Sequence, residues 1–183
     1  MTQQEYLDGM KQWANGERFV PEKFVGRVNN WLNHMLHWEA VCQVLQAGSI
    51  IDVGCGCGMS SRIYSLCMGV PVLAVDKPDV VKWSSIAYLT PGVEFVGCDL
   101  ASKWDFGKFD NVVCIDVIEH IGDEHYVDFL KSLGNAGHRE SKWILTTPIG
   151  EDGNPWHLRS WPSIKAFLDD VGRYIPAKRI VRV

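Results

Sequence analysis

The sequence predicts a three-layer α/β sandwich around a mostly parallel sheet of about six strands. Three observations predict it. Short apolar, β-branched runs alternate with helical patterns from residue 49 onward. A glycine cluster separates the first such run from the first helix, and acidic residues close most of the later ones. A chain of 183 residues, 46% hydrophobic and 22% charged, has room for one domain of ordinary globular composition and not for two. Strands that parallel neighbours bury on both faces read as continuous apolar runs, with the connecting helices covering the sheet.

Taken in order, residues 2–14 read as a helix, punctuated by Gly16 and Pro21. From about Glu22 to Gln46, the residues Val28, Trp31, Leu32, Met35, Trp38, Cys42 and Leu45 recur at three- and four-residue spacing, an amphipathic stripe ended by Gly48. Ser49–Val53 is the first strand, Ser60–Met68 a helix ended by Gly69, and Val70–Val75 the second strand, closed by Asp76. A helix over Asp79–Leu89 precedes a third strand, Val93–Cys98, closed by Asp99. Phe109–Ile115 is the fourth strand. Tyr126, Phe129, Leu130 and Leu133 make one helical face, and Lys142–Thr147 is the fifth strand. A helix over Pro162–Val171, with Ser160 or Trp161 near its start, leads to a sixth strand, Ala177–Val183.

Composition and charge restrict function. A net charge of −4 and a pI near 5.8 disfavour a surface built for phosphate backbones, so nucleic acid is not the expected partner, a local basic groove aside. No run approaches the roughly 18 apolar residues of a membrane helix. The start, MTQQEYLDGMKQW, has no basic stretch leading into an apolar core, so no signal peptide is expected. The six cysteines (Cys42, Cys55, Cys57, Cys67, Cys98 and Cys114) contain no CxxC pair, and a reduced, cytoplasmic protein is the simplest account. The eight tryptophans read as core, with pocket walls as the alternative.

Parallel sheets bind ligands at the carboxyl ends of their strands. The positions that matter are therefore Gly54–Gly58, Asp76, Asp99, Asp116–His120 and Pro148–His157. In Ile51-Asp-Val-Gly-Cys-Gly-Cys-Gly58, three glycines let the backbone turn tightly and approach a ligand. The dinucleotide fingerprint GxGxxG wants its third glycine at position 59, which is Met59, so the loop suits an amino-acid-bearing nucleoside better than a dinucleotide. Asp76 follows Gly54 at about the separation at which a carboxylate meets a ribose diol, and Asp99 repeats the arrangement one strand on, where an acceptor can take an adenine amino hydrogen.

The ordered set IDVGCGCG, VDKPD, GCDL, FDNVVCIDVIEHI and ILTTP resembles the class I S-adenosylmethionine-dependent methyltransferases over about residues 48–171. The resemblance implies a Rossmann-like sheet, here lacking the family's usual seventh strand, and a methyl-transfer reaction. It implies a cofactor site formed by Asp52, Gly54, Cys55, Gly56, Gly58, Asp76, Lys77, Asp99, Leu100 and Asp116. Asp52 and the glycine loop would hold the methionine part, Asp76 the ribose, and Asp99 with the backbone of Leu100 the adenine. Residues 1–47 are expected to be a helical segment capping that site, and 48–183 the catalytic domain.

Asp116, Glu119 and His120 share a face if their segment turns helically, and His157 follows the fifth strand on the same side of the sheet. Three readings stay open. In the first, two carboxylates and two imidazoles hold Mg²⁺, Mn²⁺ or Zn²⁺. That arrangement resembles the metal site of small-RNA 3′-end 2′-O-methyltransferases, with Asp116 in place of a glutamate. In the second, the favoured one, His120 or His157 is a general base whose tautomer Glu119 sets, as in many small-molecule methyltransferases. In the third, the two loops only hydrogen-bond to each other. No Pro-Pro-aromatic run follows the fourth strand and no Pro-Cys pattern follows the fourth or fifth, so resemblance to base-methylating enzymes is lacking. The expected acceptor is an oxygen of a small molecule or sugar. An RNA 3′-end ribose and a cofactor-binding regulatory subunit without turnover are the alternatives. The edge at Ile180–Val183 suits pairing in a homodimer.

Overall fold

The computed structural model describes residues 37–83, 91–150 and 153–176. The expected helix over 2–14, the expected long helix up to residue 36, the end of the third helix after Trp83, the strand Ala177–Val183 and the residues Arg27, Trp31 and His34 lie outside them.

The elements run as a helix over 37–44 (α1), β1 (Ile50–Val53), α2 (Met59–Met68), β2 (Val72–Asp76), α3 (Pro78–Trp83), β3 (Val93–Gly97), β4 (Phe109–Ile115), α4 (Asp123–Asn135), β5 (Gly137–Thr146) and α5 (Ile164–Val171). The five strands form one sheet in the order β3-β2-β1-β4-β5, every pairing parallel. β1 is central and buried throughout. The order reverses between β1 and β4, and an open α/β sheet has its crevice at the carboxyl ends of the two strands flanking that reversal.

Alternation along the strands sends successive side chains to opposite faces. Ile51, Val53, Val112 and Cys114 join a cluster with Phe129, Leu130 and Leu133 of α4 and Phe167 of α5. Ile50, Val72 and Val113 join a second with Val41 and Leu45 before β1 and Tyr64 of α2. Two cores, one on each face, are what make the fold three-layered. Asn111 ties the layers at one end, donating to Gln46 O (2.9 Å) and accepting from Gln46 N (2.9 Å).

Three expected boundaries are corrected. β2 starts after Pro71, which has no N–H for the ladder. β5 starts at Gly137 rather than Lys142, with an excursion: Phe109 pairs with Gly137, and the regular register resumes only at Asn111 with Lys142. Residues 138–141 loop out between these pairs, Ser141 Oγ donating to Phe109 O (2.6 Å). The last helix starts at Ile164, not Pro162. Its N-cap is Ser163, whose Oγ accepts from Ala166 N (3.2 Å), while Trp161 is buried in the core.

Candidate functional site

The glycine loop spans the turn from β1 into α2. Gly54, Gly56 and Gly58 all have positive φ (79°, 55° and 78°). Their surroundings differ. A Cβ on Gly54 would lie 2.2 Å from Val117 Cγ2, and one on Gly58 would lie 2.2 Å from Phe95 Cζ, whereas one on Gly56 would meet nothing within 4 Å. The first and third glycines serve packing, and the second faces open space. Gly54 N and Cys55 N both donate to Val75 O (2.8 and 3.1 Å), which fixes the loop on the end of β2.

Two carboxylates hold the loop from below and from the side. Asp52 is buried, and its Oδ2 accepts from the hydroxyls of Ser60 (2.7 Å) and Ser61 (2.6 Å) at the start of α2. Burial pushes its carboxyl up from 3.8 to about 6, against the pull of the two hydroxyls. Asp76 accepts Gly56 N at Oδ2 and Lys77 N at Oδ1, both at 2.7 Å. Asp52 thus braces the loop from within, through the start of α2. Asp76 stands at the crevice, and each of its oxygens retains acceptor capacity for a ribose hydroxyl. Cys55 is buried, and burial pushes its thiol up. Asp99 is exposed, its Oδ1 accepting from Ala101 N (3.1 Å), and Leu100 beside it is buried. An open glycine turn with an acidic strand end beside it fits the nucleoside and amino-acid parts of S-adenosylmethionine.

The second half of the site follows β4. Asp116 has φ 52°, the one non-glycine residue with positive φ among the described residues. Aspartate tolerates this region because its side chain bonds locally. Here Asp116 Oδ1 accepts from Thr146 Oγ1 (2.7 Å), and Oδ2 lies 3.9 Å from His37 Nδ1. The chain then closes a single 3-10 turn, Ile118–His120, not a longer helix. This turn points Glu119 inward and His120 outward. Glu119 is 1% exposed, its Oε2 accepts from Thr147 Oγ1 (3.2 Å), and its Oε1 is buried without a hydrogen-bond partner. Burial holds its carboxyl above the usual carboxylate range.

The loop after β5 is stitched onto this turn. Leu158 N and Arg159 N donate to Glu119 O (2.8 and 3.2 Å), and His120 Nδ1 lies 2.9 Å from Trp156 O. The His120 and His157 rings meet edge to face, centroids 4.8 Å apart. Ligand-capable atoms of Glu119, His120 and His157 all lie within 4.8 Å of one another. The structure therefore gathers three of the four residues expected to cluster, and Asp116 is turned to Thr146 and His37 instead, because its left-handed backbone breaks the helical phase.

Several contributing residues were not evident in the sequence. Thr146 and Thr147 brace Asp116 and Glu119. Arg159 pairs with Asp123 and lies 3.6 Å over the Tyr126 ring, while Asp170 accepts from Tyr126 Oη (2.8 Å) and Trp161 Nε1 (3.1 Å). In His157-Leu-Arg-Ser-Trp161, Arg159 and Trp161 are thus the anchors that present His157. The two threonines occupy a strand's carboxyl end, the one signal that pointed to them. Trp38 packs on the second core cluster.

Residues 51–135 match a methyltransferase domain family. Among solved structures, the chain is similar to the YcgJ protein from Bacillus subtilis (TM-score 0.63, 15% identity, 74% of this chain and 66% of that one). It is similar to coclaurine N-methyltransferase bound to N-methylheliamine and S-adenosylhomocysteine (TM-score 0.52, 18% identity, 61% and 34%). It is also similar to the [4+2]-cyclase SpnF (TM-score 0.62, 15% identity, 75% and 54%). The chain thus spans less than two thirds of each of these proteins. No curated protein sequence matches it. Fold, strand-end motifs and domain match make this a class I S-adenosylmethionine-dependent methyltransferase fold. The domain match itself runs over residues 51–135, from β1 to the end of α4.

Proposed function

We propose that the protein transfers a methyl group from S-adenosylmethionine to an oxygen of a small molecule or sugar. The observation that carries this reading is the juxtaposition at the sheet's reversal point. The open Gly56 turn with Asp76 stands on one side, and the Glu119, His120 and His157 cluster follows the adjacent strand on the other. Gly54 abuts Val117, so the two halves share a wall.

The cofactor supplies an electrophilic methyl group. The chain's residues do the rest. Asp76 and the Gly54–Gly58 backbone bind and orient, Leu100 and Asp99 flank the nucleoside, and His37 stands beside Asp116. Methyl transfer is an in-line displacement, so rate depends chiefly on holding the nucleophile in place. An oxygen nucleophile must also lose a proton, and a buried carboxyl with two imidazoles is a group suited to that. An RNA 3′ end is the less favoured acceptor, because net charge is −4 and Asp116 stays outside the cluster.

Calorimetric titration of S-adenosylhomocysteine tests the cofactor half. Binding is expected, weakened by roughly 10–100-fold in Asp76→Ala, the loss of hydrogen bonds to a charged group. No binding to the folded protein sinks the reading. Binding without transfer to any hydroxyl-bearing acceptor favours a regulatory subunit.

A further inference from the structure

We infer that Cys42 and Cys67 are a redox-sensitive thiol pair, in which Cys67 is the modification site for a low-molecular-weight disulfide and Cys42 closes a reversible bond between α1 and α2. The bond itself rests on packing. Trp38, Val41 and Cys42 of α1, with Leu45 just after it, recur at three- and four-residue spacing, and all pack into the second core cluster. Ile63, Tyr64 and Met68 bring α2 into the same cluster. Cys67 follows Ile63 by four residues and Tyr64 by three, so it stands at the rim of the face that α2 turns to this cluster. The two thiols meet there, Cys42 hydrogen-bonding to the Cys67 sulfur.

The two cysteines differ in the way such a pair requires. Cys67 is exposed and Cys42 is half-buried, whereas Cys55 and Cys114 are buried. A small oxidant therefore reaches Cys67 before Cys42. Burial, then the Cys67 thiol, then Glu39 push the Cys42 thiol up to about 12, so it stays protonated in the reduced protein. Capping Cys67 with another sulfur removes its share of that effect and brings a disulfide sulfur to Cys42. The Cys67 thiolate attacks an external disulfide and releases one thiolate. The Cys42 thiolate then attacks the capped Cys67 sulfur and releases the second. The two protein sulfurs are oxidised and the external disulfide is reduced to two thiols, which take up the protons that Cys42 and Cys67 lose.

The bond joins the helices that precede and follow β1, and both reach the crevice. α2 starts at Met59, next to Gly58, and His37 at the start of α1 lies 3.9 Å from Asp116 Oδ2. A pinned α1 has less freedom to lose when a ligand binds, so the oxidised form should hold the cofactor more tightly. This coupling, unlike the bond, rests on the methyltransferase reading. A bond that forms only on exposure to an oxidant is the kind that senses redox state.

The test exposes the reduced full chain to oxidised glutathione, followed by peptide mapping and thermal melting. A bond between Cys42 and Cys67, with no glutathione retained on Cys67, is expected, and dithiothreitol should reverse it. It closes a loop of about 25 residues and should raise the melting temperature by roughly 7–13 °C. In Cys42→Ser, glutathione should stay on Cys67, and in Cys67→Ser the bond should be absent. Cys67 is exposed, so its variant carries the test should the half-buried Cys42→Ser fail to fold. Glutathione left on Cys67 in the wild type, a bond from Cys67 to another cysteine, or both thiols left free overturns the inference. S-adenosylhomocysteine is then titrated into the reduced and oxidised forms. The oxidised form should bind at least about fivefold tighter, a gain that Cys67→Ser should lack. Equal affinity overturns the coupling, whereas no binding to either form sinks the methyltransferase reading and leaves the mapped bond standing.

Discussion

Asp52 shows at one residue how this site is held. Its carboxylate is buried against two serine hydroxyls, and burial raises its pKa from 3.8 to about 6. A folded-state value above the unfolded one means that the folded chain holds the proton more tightly. Its contribution to stability is therefore lost as pH rises from about 3.8 to about 6, by up to roughly 3 kcal/mol. Asp52→Asn removes that titration and can still accept a serine hydroxyl. The variant's melting temperature minus that of the wild type should grow between pH 4 and pH 6.5 and then level off. A difference independent of pH would show that burial does not control this carboxyl. Asp52 was legible as a strand-end acid, but not as a brace. Only the fold shows that Ser60 and Ser61 reach back to it across the glycine turn.

At the scale of elements, the glycine loop separates packing from ligand approach. Gly58→Ala adds a Cβ 2.2 Å from Phe95 to a left-handed backbone (φ 78°), and the two costs sum to about 2–5 kcal/mol of stability. Gly56→Ala meets no neighbour within 4 Å and loses only about 1–2 kcal/mol for its φ of 55°. Its new methyl group would stand where a ligand must come close. Urea denaturation and S-adenosylhomocysteine titration of both variants should thus split. Gly58→Ala is the less stable protein, and Gly56→Ala is the poorer binder by at least about tenfold. Equal binding in Gly56→Ala and the wild type would place the cofactor elsewhere. The elements themselves were largely readable, since apolar runs and i, i+3, i+4 faces depend on local periodicity. Their ends were read less well. The excursion at 138–141 and the Ser163 cap arise from hydrogen bonds to Phe109 and Ala166, whose geometry is tertiary or depends on where the chain turns.

For the whole molecule, a ligand that binds only the folded state stabilises it by mass action. S-adenosylhomocysteine at a hundred times its dissociation constant should add about 2.7 kcal/mol. For a chain of this size that raises the melting temperature by roughly 5–11 °C. Asp76→Ala, binding roughly 10–100-fold more weakly, should cut the gain to about 0.4–1.4 kcal/mol at the same ligand concentration, and a rise unchanged in that variant would detach the crevice from the cofactor. The fold by itself does not choose the reaction, for it is shared by a coclaurine N-methyltransferase and a [4+2]-cyclase. The choice lies with the side chains that the loops after β4 and β5 bring together. By itself, the sequence determined the alternating strands and helices, the glycine turn and the acidic strand ends, because each depends on residues a few positions apart. Only the tertiary structure decided that Asp52 points inward, that Asp116 leaves the cluster, and that Glu119 meets His157 across 38 residues of chain. The physical reason is that a left-handed turn at Asp116 and a loop anchored by Arg159 and Trp161 set those directions, and neither leaves a periodic trace in the sequence.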